Sequence, residues 1–526
     1  MTFRKPSPSS SKPARRVAPQ PPKTLQQRLW NPYVVVFFSS ACIMIIELVA
    51  SRLIAPRLGV SLYTWTTIIG VILAGISLGN YVSGRLADRY ASPAFLGLIL
   101  ALAGLASLSI LWLNSVMKDF KPPAGFPLML DVVIYIAIIF FLPSTILGGV
   151  SPVVVKLSLT DLQRSGTTVG KIYAWSSVGS IVGTFATGFF LISWLGTKTI
   201  LIGIAGLLLL MALWFLAGRP WHKTLPRSVG TLLVFAMALG LIVAGGYPVS
   251  ECLRETDYYC INVKPKEVDG KQVQELILDR LVHSYSNLED PTQLVYGYEK
   301  TYAQVIAPLI ERKPDLAAFF IGGGGYTFPR YLEAKLPQSR LVVAEIDPQV
   351  TLVAQEKLGL RRDTRIEVHN LDARLYMMNE VQPASFDLVF GDAFNDYSVP
   401  FHLTTLEFDQ MVARMLREDG MYVVNIIDGG KRGHFLRAYV RTMQQVFPHV
   451  AVIPVNPEWR DSPRMTFVIA GSRRPLDFSK LQGEAQPLSE TELAAYMALE
   501  APLVLRDDYV PVDNLLAPVF ADSGWN

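Results

Sequence analysis

The chain has 526 residues and carries 48 Lys and Arg against 44 Asp and Glu, a formal net charge of +4 that is too even for a nucleic-acid-binding footprint. No RNA-binding or zinc-finger motif occurs, and no metal site is expected. The length allows more than one domain, and the averages conceal two dissimilar halves.

Residues 1–30, beginning "MTFRKPSPSSSKPARRVAPQPPK", are rich in Pro, Ser and basic residues. They hold too little apolar surface to order themselves and read as a disordered basic tail. The first apolar run is too long for a signal peptide and lacks a small-residue cleavage site.

From 31 to 248 the pattern is that of a multispan α-helical membrane domain. Seven apolar stretches, at about 33–54, 63–84, 94–115, 130–150, 171–194, 199–217 and 228–246, each approach the roughly 20 residues that cross a bilayer. Arg15, Arg16, Lys23 and Arg28, then Arg85 and Arg89, Lys156 and Arg164, and Arg219, Lys223 and Arg227 fall on one side. The other side is poorer, with Arg57, Lys118 and Lys121. By the positive-inside rule the N-terminus is cytoplasmic, and an odd number of spans puts the soluble half outside. Glu47, deep in the first span, calls for a partner on a neighbouring span or a functional role, and Gly179 and Gly183 permit close helix packing.

Cys252 and Cys260 flank the start of the soluble half. An oxidising compartment would allow them to join, but eight residues apart on one extended strand they would stand too far apart, which favours free thiols. Residues 249–285 form a β-hairpin region. There "YYCINVKPKEVDGKQVQELILD" has Asp269-Gly270 at a turn suited to positive φ.

Residues 286–475 alternate short apolar runs with amphipathic segments. Strands are expected at "LAAFFIG", "RLVVAEI", "RIEVHN", "FDLVFGD" and "GMYVVNII", an α/β Rossmann-like, doubly wound and mostly parallel sheet. "HVAVIPV" and "RMTFVIAG" have no long helix between them and read as an antiparallel edge hairpin; residues 476–526 are a C-terminal extension.

The glycine run Gly322, Gly323, Gly324 and Gly325 ends the first of these strands, where missing β-carbons let a ligand approach the backbone. About 20 residues later Glu345 ends the second strand, placed to accept hydrogen bonds from ribose hydroxyls. Asp372 follows the third strand, suited to an adenine amino group or equally to capping the next helix. Asp392 and Asp396, in "FGDAFNDYSVPFHL", stand at the carboxyl end of the fourth strand, where open α/β sheets bind ligands.

From about Glu255 to Gly471 these residues, in this order, resemble the spermidine synthase family of polyamine aminopropyltransferases, related to class I S-adenosylmethionine methyltransferases. The family's "GGGDGG" region is similar to "GGGGYT", its ribose-binding acid to Glu345, its adenine-contacting Asp to Asp372, and the first Asp of its "DSSDP" loop to Asp392 in "DAFND". Gly325 stands where the family has an Asp that holds the donor's amine, and Asn395 where it has the second loop Asp. The "LDGxxQ" segment reads "LDRLVH", with Arg280 for Gly and His283 for Gln, and "YGYE", ending at Glu299, occupies the "YHE" region. The membrane half resembles the transporter-like segments fused to such domains, through "IELVASRLIAPRLG", "GISLGNYVSGRLADR" and "GKIYAWSSVGSIVGTFATGFFL".

The resemblance implies a membrane-integrated aminopropyltransferase with decarboxylated S-adenosylmethionine, or S-adenosylmethionine, as co-substrate, a polyamine or other amine as acceptor, and no permanently bound cofactor. It also implies a homodimer formed through the hairpin regions. Asp392 is expected to take the amine's proton with Asp396 assisting by charge, and His283 and Glu299 to line the substrate pocket. Tyr258 and Tyr259 would cover the pocket and face a cation, or pack the hairpin. Methyl transfer, and a non-enzymatic sensor or transport role, are the alternatives.

Overall fold

The computed structural model describes residues 31–117, 120, 127–159, 161–216, 236–237, 240, 252–393, 399–501 and 503–522. Among these, six helical segments are long and apolar enough to cross a membrane. They comprise α1 (Pro32–Leu58), α2 (Leu62–Tyr90), α3 (Pro93–Met117), α4 (Leu128–Gly148) with its continuation α5 (Val150–Ser158), α6 (Ser165–Ala186) prolonged by a π turn at Thr187–Leu191, and α7 (Thr197–Leu216). These match the first six expected spans. The seventh, 228–246, lies outside the described residues except at 236, 237 and 240, as does the tail at 1–30.

Local chemistry sets the helix starts. The Asn31 side chain accepts from Tyr33 N and opens α1, and Ser61 accepts from Thr64 N and opens α2. α6 lies close against α1 at glycine positions, because a Cβ on Gly179 or Gly183 would stand 2.1 Å from the carbonyl of Phe37 or 2.7 Å from that of Ala41. Outward-facing Leu73, Leu78, Phe185, Phe189 and Trp194 leave the bundle an apolar exterior, which suits lipid rather than water. Oε2 of Glu47 is buried without a hydrogen bond among the described residues.

The soluble half opens with a four-stranded sheet in the order β1 (Arg254–Glu255), β2 (Cys260–Val268), β3 (Lys271–Leu278) and β4 (Leu281–Ser286). Asp269 and Gly270, at φ 52° and 73°, make the expected β2–β3 turn. Cys252 and Cys260 are bonded to each other with Cα atoms 5.3 Å apart, which corrects the expectation of free thiols. The chain reverses between β1 and β2, pairing Glu255 with Cys260, so the two cysteines are not on one extended strand.

Next come α8 (Gly297–Arg312), β5 (Ala317–Ile321), α9 (Thr327–Lys335), β6 (Arg340–Ala344), α10 (Pro348–Lys357), β7 (Glu367–His369), α11 (Ala373–Glu380) and β8 (Phe386–Gly391). They are followed by α12 (Leu406–Met415), β9 (Leu416–Asp428), α13 (Phe435–Met443), β10 (His449–Pro454) and β11 (Met465–Ser472), with α14 (Glu490–Met497) and α15 (Val512–Asp522) in the extension. The second sheet has the order β10-β11-β9-β8-β5-β6-β7. β7, β6, β5, β8 and β9 run parallel, and β11 lies antiparallel between β9 and β10. The expected edge hairpin is therefore present, with β11 inserted beside the parallel strands. Its buried strands Ala317–Ile321 and Phe386–Gly391 explain the unbroken apolar runs of the sequence.

Candidate active site

The strand order reverses at β5, and the crevice between β5 and β8 opens at their carboxyl ends, the place where such sheets receive ligands. A cavity of about 410 Å³ lies there. Its wall includes Gly322, Gly324, Glu345, Asp372, Asp392, Tyr258, Tyr259 and His283, and so gathers most of the positions singled out in the sequence.

Gly322, at φ 92°, turns the chain out of β5 in a conformation that side chains rarely adopt. Glu345 ties this turn down: its Oε2 accepts from Gly323 N at 2.8 Å and Gly324 N at 3.3 Å, and its Oε1 from Asp347 N at 3.0 Å. Burial raises the Glu345 pKa and those amides oppose the rise. Gly323 itself spends its amide on Glu345 and is not part of the cavity wall.

Asp372 does cap a helix, accepting from Leu375 N at 3.0 Å with Oδ1, while its Oδ2 meets His402 Nε2 at 2.8 Å. The imidazole contact holds the carboxyl below its ordinary range. Asp392 is supported on both oxygens, with Tyr298 OH donating to Oδ2 at 2.9 Å and Asn425 Nδ2 to Oδ1 at 3.1 Å. Desolvation nevertheless dominates and raises its pKa to about 6. A carboxylate with such a pKa is a stronger base than an exposed one and is still ionised at neutral pH.

Glu299 departs from the expectation of a pocket residue. It is 2% exposed, is absent from the cavity wall, and has its pKa driven well above the ordinary value by burial and by the charge of Asp392. Asp396 and Asn395 lie outside the described residues. Gly325 leaves no room for the Asp of the resembled family, because a Cβ there would stand 1.9 Å from Ser284 Oγ. Arg280 has a different task from the glycine it replaces: its Nη1 donates at 3.2 Å to the carbonyl of Arg57 at the end of α1.

Sequence reasoning assigned no role to His402, Tyr298 or Asn425. It also missed the cavity's roof: Ser51 and Arg52 of α1, Val60 of the following corner and Trp65 of α2. Contacts tying the helices to the soluble half include Glu255, whose carboxylate accepts from Thr197 N and Oγ1 at 2.8 Å each, and Asp257, which accepts from Ser193 Oγ at 2.6 Å. The apolar helices and the sheet thus line one cavity together.

The fold and cavity define a Rossmann-like domain with an open crevice at the head of its parallel strands, joined to a bundle of apolar helices. Among characterised proteins the chain is similar to polyamine aminopropyltransferase of Vibrio vulnificus, 32% identical over 176 residues, or 33% of this chain and 54% of that protein. The chain thus matches only about half the length of that relative. Polyamine aminopropyltransferase 2 of Ralstonia nicotianae is 22% identical over 459 residues, covering 81% of this chain and 85% of its own. A probable spermidine synthase of Corynebacterium glutamicum is a structural neighbour, with a TM-score of 0.42 and 24% identity over 48% of this chain and 94% of its own. No protein-family model matches the chain.

Proposed function

We propose that the chain is a membrane-integrated transferase moving an aminopropyl group from decarboxylated S-adenosylmethionine to an amine. The observation that carries this reading is Asp392, a base of pKa about 6 on the wall of a nucleoside-sized cavity. The sequence similarity to polyamine aminopropyltransferases supports the same reaction. The amine nitrogen's lone pair attacks the carbon beside the sulfonium, the C–S bond breaks with its electrons going to sulfur, and methylthioadenosine leaves as a neutral thioether. The proton shed by the new ammonium passes to Asp392. Glu345 and Asp372 hold the ribose and adenine edges, Gly322 and Gly324 admit the donor to the backbone, and Tyr258, Tyr259 and His283 border the amine.

Methyl transfer from S-adenosylmethionine is the second reading, favoured by the closed position at Gly325, which removes the anchor for the aminopropyl amine. Purified full-length protein incubated with either donor and a panel of amines separates the two. Methylthioadenosine, formed only with amine and lost in Asp392→Asn, supports aminopropyl transfer; S-adenosylhomocysteine supports methyl transfer; neither product leaves a binding role.

The spans lie in a lipid bilayer with the N-terminus cytoplasmic and the soluble half outside. The Cys252–Cys260 bond supports that placement, since such bonds persist in oxidising compartments. A reporter active only in the cytoplasm, fused after residue 471, overturns it by lighting up. Two copies associate through the hairpin sheet, a pairing that crosslinking in the membrane tests.

A further inference from the structure

Arg52 is a cavity-lining cation that belongs to the membrane half. It makes no hydrogen bond or ion pair with any described residue. Its charged neighbours are Asp279, Asp257, Asp347 and Glu255, yet these carboxylates are engaged elsewhere. Glu255 takes both donors of Thr197, Asp257 takes Ser193 Oγ, Asp347 takes Thr256 Oγ1 at 2.5 Å and Gln349 N at 2.9 Å, and Asp279 takes Cys260 N at 2.9 Å. The planar fork of five N–H donors therefore borders the cavity without a protein acceptor, and such a fork matches carboxylate and phosphate groups.

Two further observations bear on what enters. At the other end of the ligand, Gly325 is too tightly packed against Ser284 to carry the acid that holds an amine in the resembled family. In addition, α1 has 27 residues, about 40 Å of helix against a hydrocarbon core of about 30 Å. Arg52 lies in its last two turns, at the end of α1 that meets the cavity.

We infer that Arg52 is a specificity-determining residue that binds the anionic end of the acceptor, so that the preferred acceptor is an amine carrying a carboxylate or phosphate rather than a diamine. This rests on the amine-transfer reading above and names its substrate class. The amine end faces Asp392 and the anionic end faces Arg52. The same chemistry is offered by a free amino acid or by an aminophospholipid headgroup.

The test uses full-length protein in nanodiscs with decarboxylated S-adenosylmethionine and three four-carbon amines: 4-aminobutyrate, butylamine and 1,4-diaminobutane. Butylamine carries neither extra charge and is the reference within each variant, so a loss of folded protein cancels in the ratios. A charge-assisted contact predicts that kcat/KM for 4-aminobutyrate exceeds that for 1,4-diaminobutane by about tenfold or more. Arg52→Gln should bring that ratio to about one, with Arg52→Lys between, since it keeps the charge but not the fork. Turnover of free phosphoethanolamine assigns a soluble source, and turnover only of phosphatidylethanolamine in the disc assigns a lipid one; either supports the inference. A wild-type preference for the diamine, or a ratio unchanged in Arg52→Gln, overturns it while leaving amine transfer standing. No product from any amine overturns both.

Discussion

Tyr298 donates a 2.9 Å hydrogen bond to Oδ2 of Asp392. That bond favours the ionised carboxyl, opposing the desolvation that raises its pKa to about 6. Removing the donor in Tyr298→Phe should move the acidic limb of the kcat/KM profile upward by about one to two pH units, the equivalent of one hydrogen bond to a charge. A pH profile of methylthioadenosine release measures it. A limb that stays near pH 6 or moves downward counts against Asp392 as the base.

The same carboxyl works against stability. Its folded pKa lies above the ordinary 3.8, so the folded state holds the proton more tightly and loses stability as pH rises from about 4 through about 6. Asp392→Asn should therefore abolish transfer and yet raise the stability of the soluble half above pH 6, by at most ~3 kcal/mol, with no gain at pH 4. Urea titrations of both proteins at the two pH values check the sign.

How much of this arrangement was legible in the sequence varied with the kind of contact. Gly322, Glu345, Asp372 and Asp392 were readable because each ends a strand of a doubly wound sheet, and chain order alone brings such ends together. Glu299 was not, since the place of "YGYE" in the chain put it on the substrate pocket, whereas its side of the helix is the one that packs inward with Tyr302 and Ile306. Arg52 and Trp65 were hidden for another reason: apolar periodicity says which helices cross a membrane, not which of their residues meet a domain that follows 200 positions later. The reversal that joins Cys252 to Cys260 carries no Gly, Pro or Asn-Gly signal at Asp257 and Tyr258.

Gly325 offers a steric test. Its Cβ position lies 1.9 Å from Ser284 Oγ and 2.8 Å from Ser284 Cβ, so Gly325→Ala should cost about 1–3 kcal/mol of stability. The double variant Gly325→Ala with Ser284→Gly should recover most of it. Equal stability for the single variant and the wild type, by thermal unfolding, would show that β4 yields at this point.

The Cys252–Cys260 bond closes a short loop at the entrance to the soluble half. Replacing both cysteines by serine should lower stability by ~2–3 kcal/mol in the chain-entropy account, and a reducing agent should lower the wild type to the level of that variant. Thermal unfolding with and without reductant distinguishes this from a bond that contributes nothing.

Glu255 grips Thr197 by its backbone amide and its hydroxyl, and Thr197 is the first residue of α7. The acceptor that a helix ordinarily finds just ahead of itself is supplied here from 58 positions downstream. During synthesis, α7 leaves the ribosome before its cap exists, and the start of the last described apolar helix is completed only after the chain has passed residue 255. Assembly of the bundle therefore finishes with the opening strand of the domain that uses it, and a chain stopped short of that strand would keep an uncapped helix.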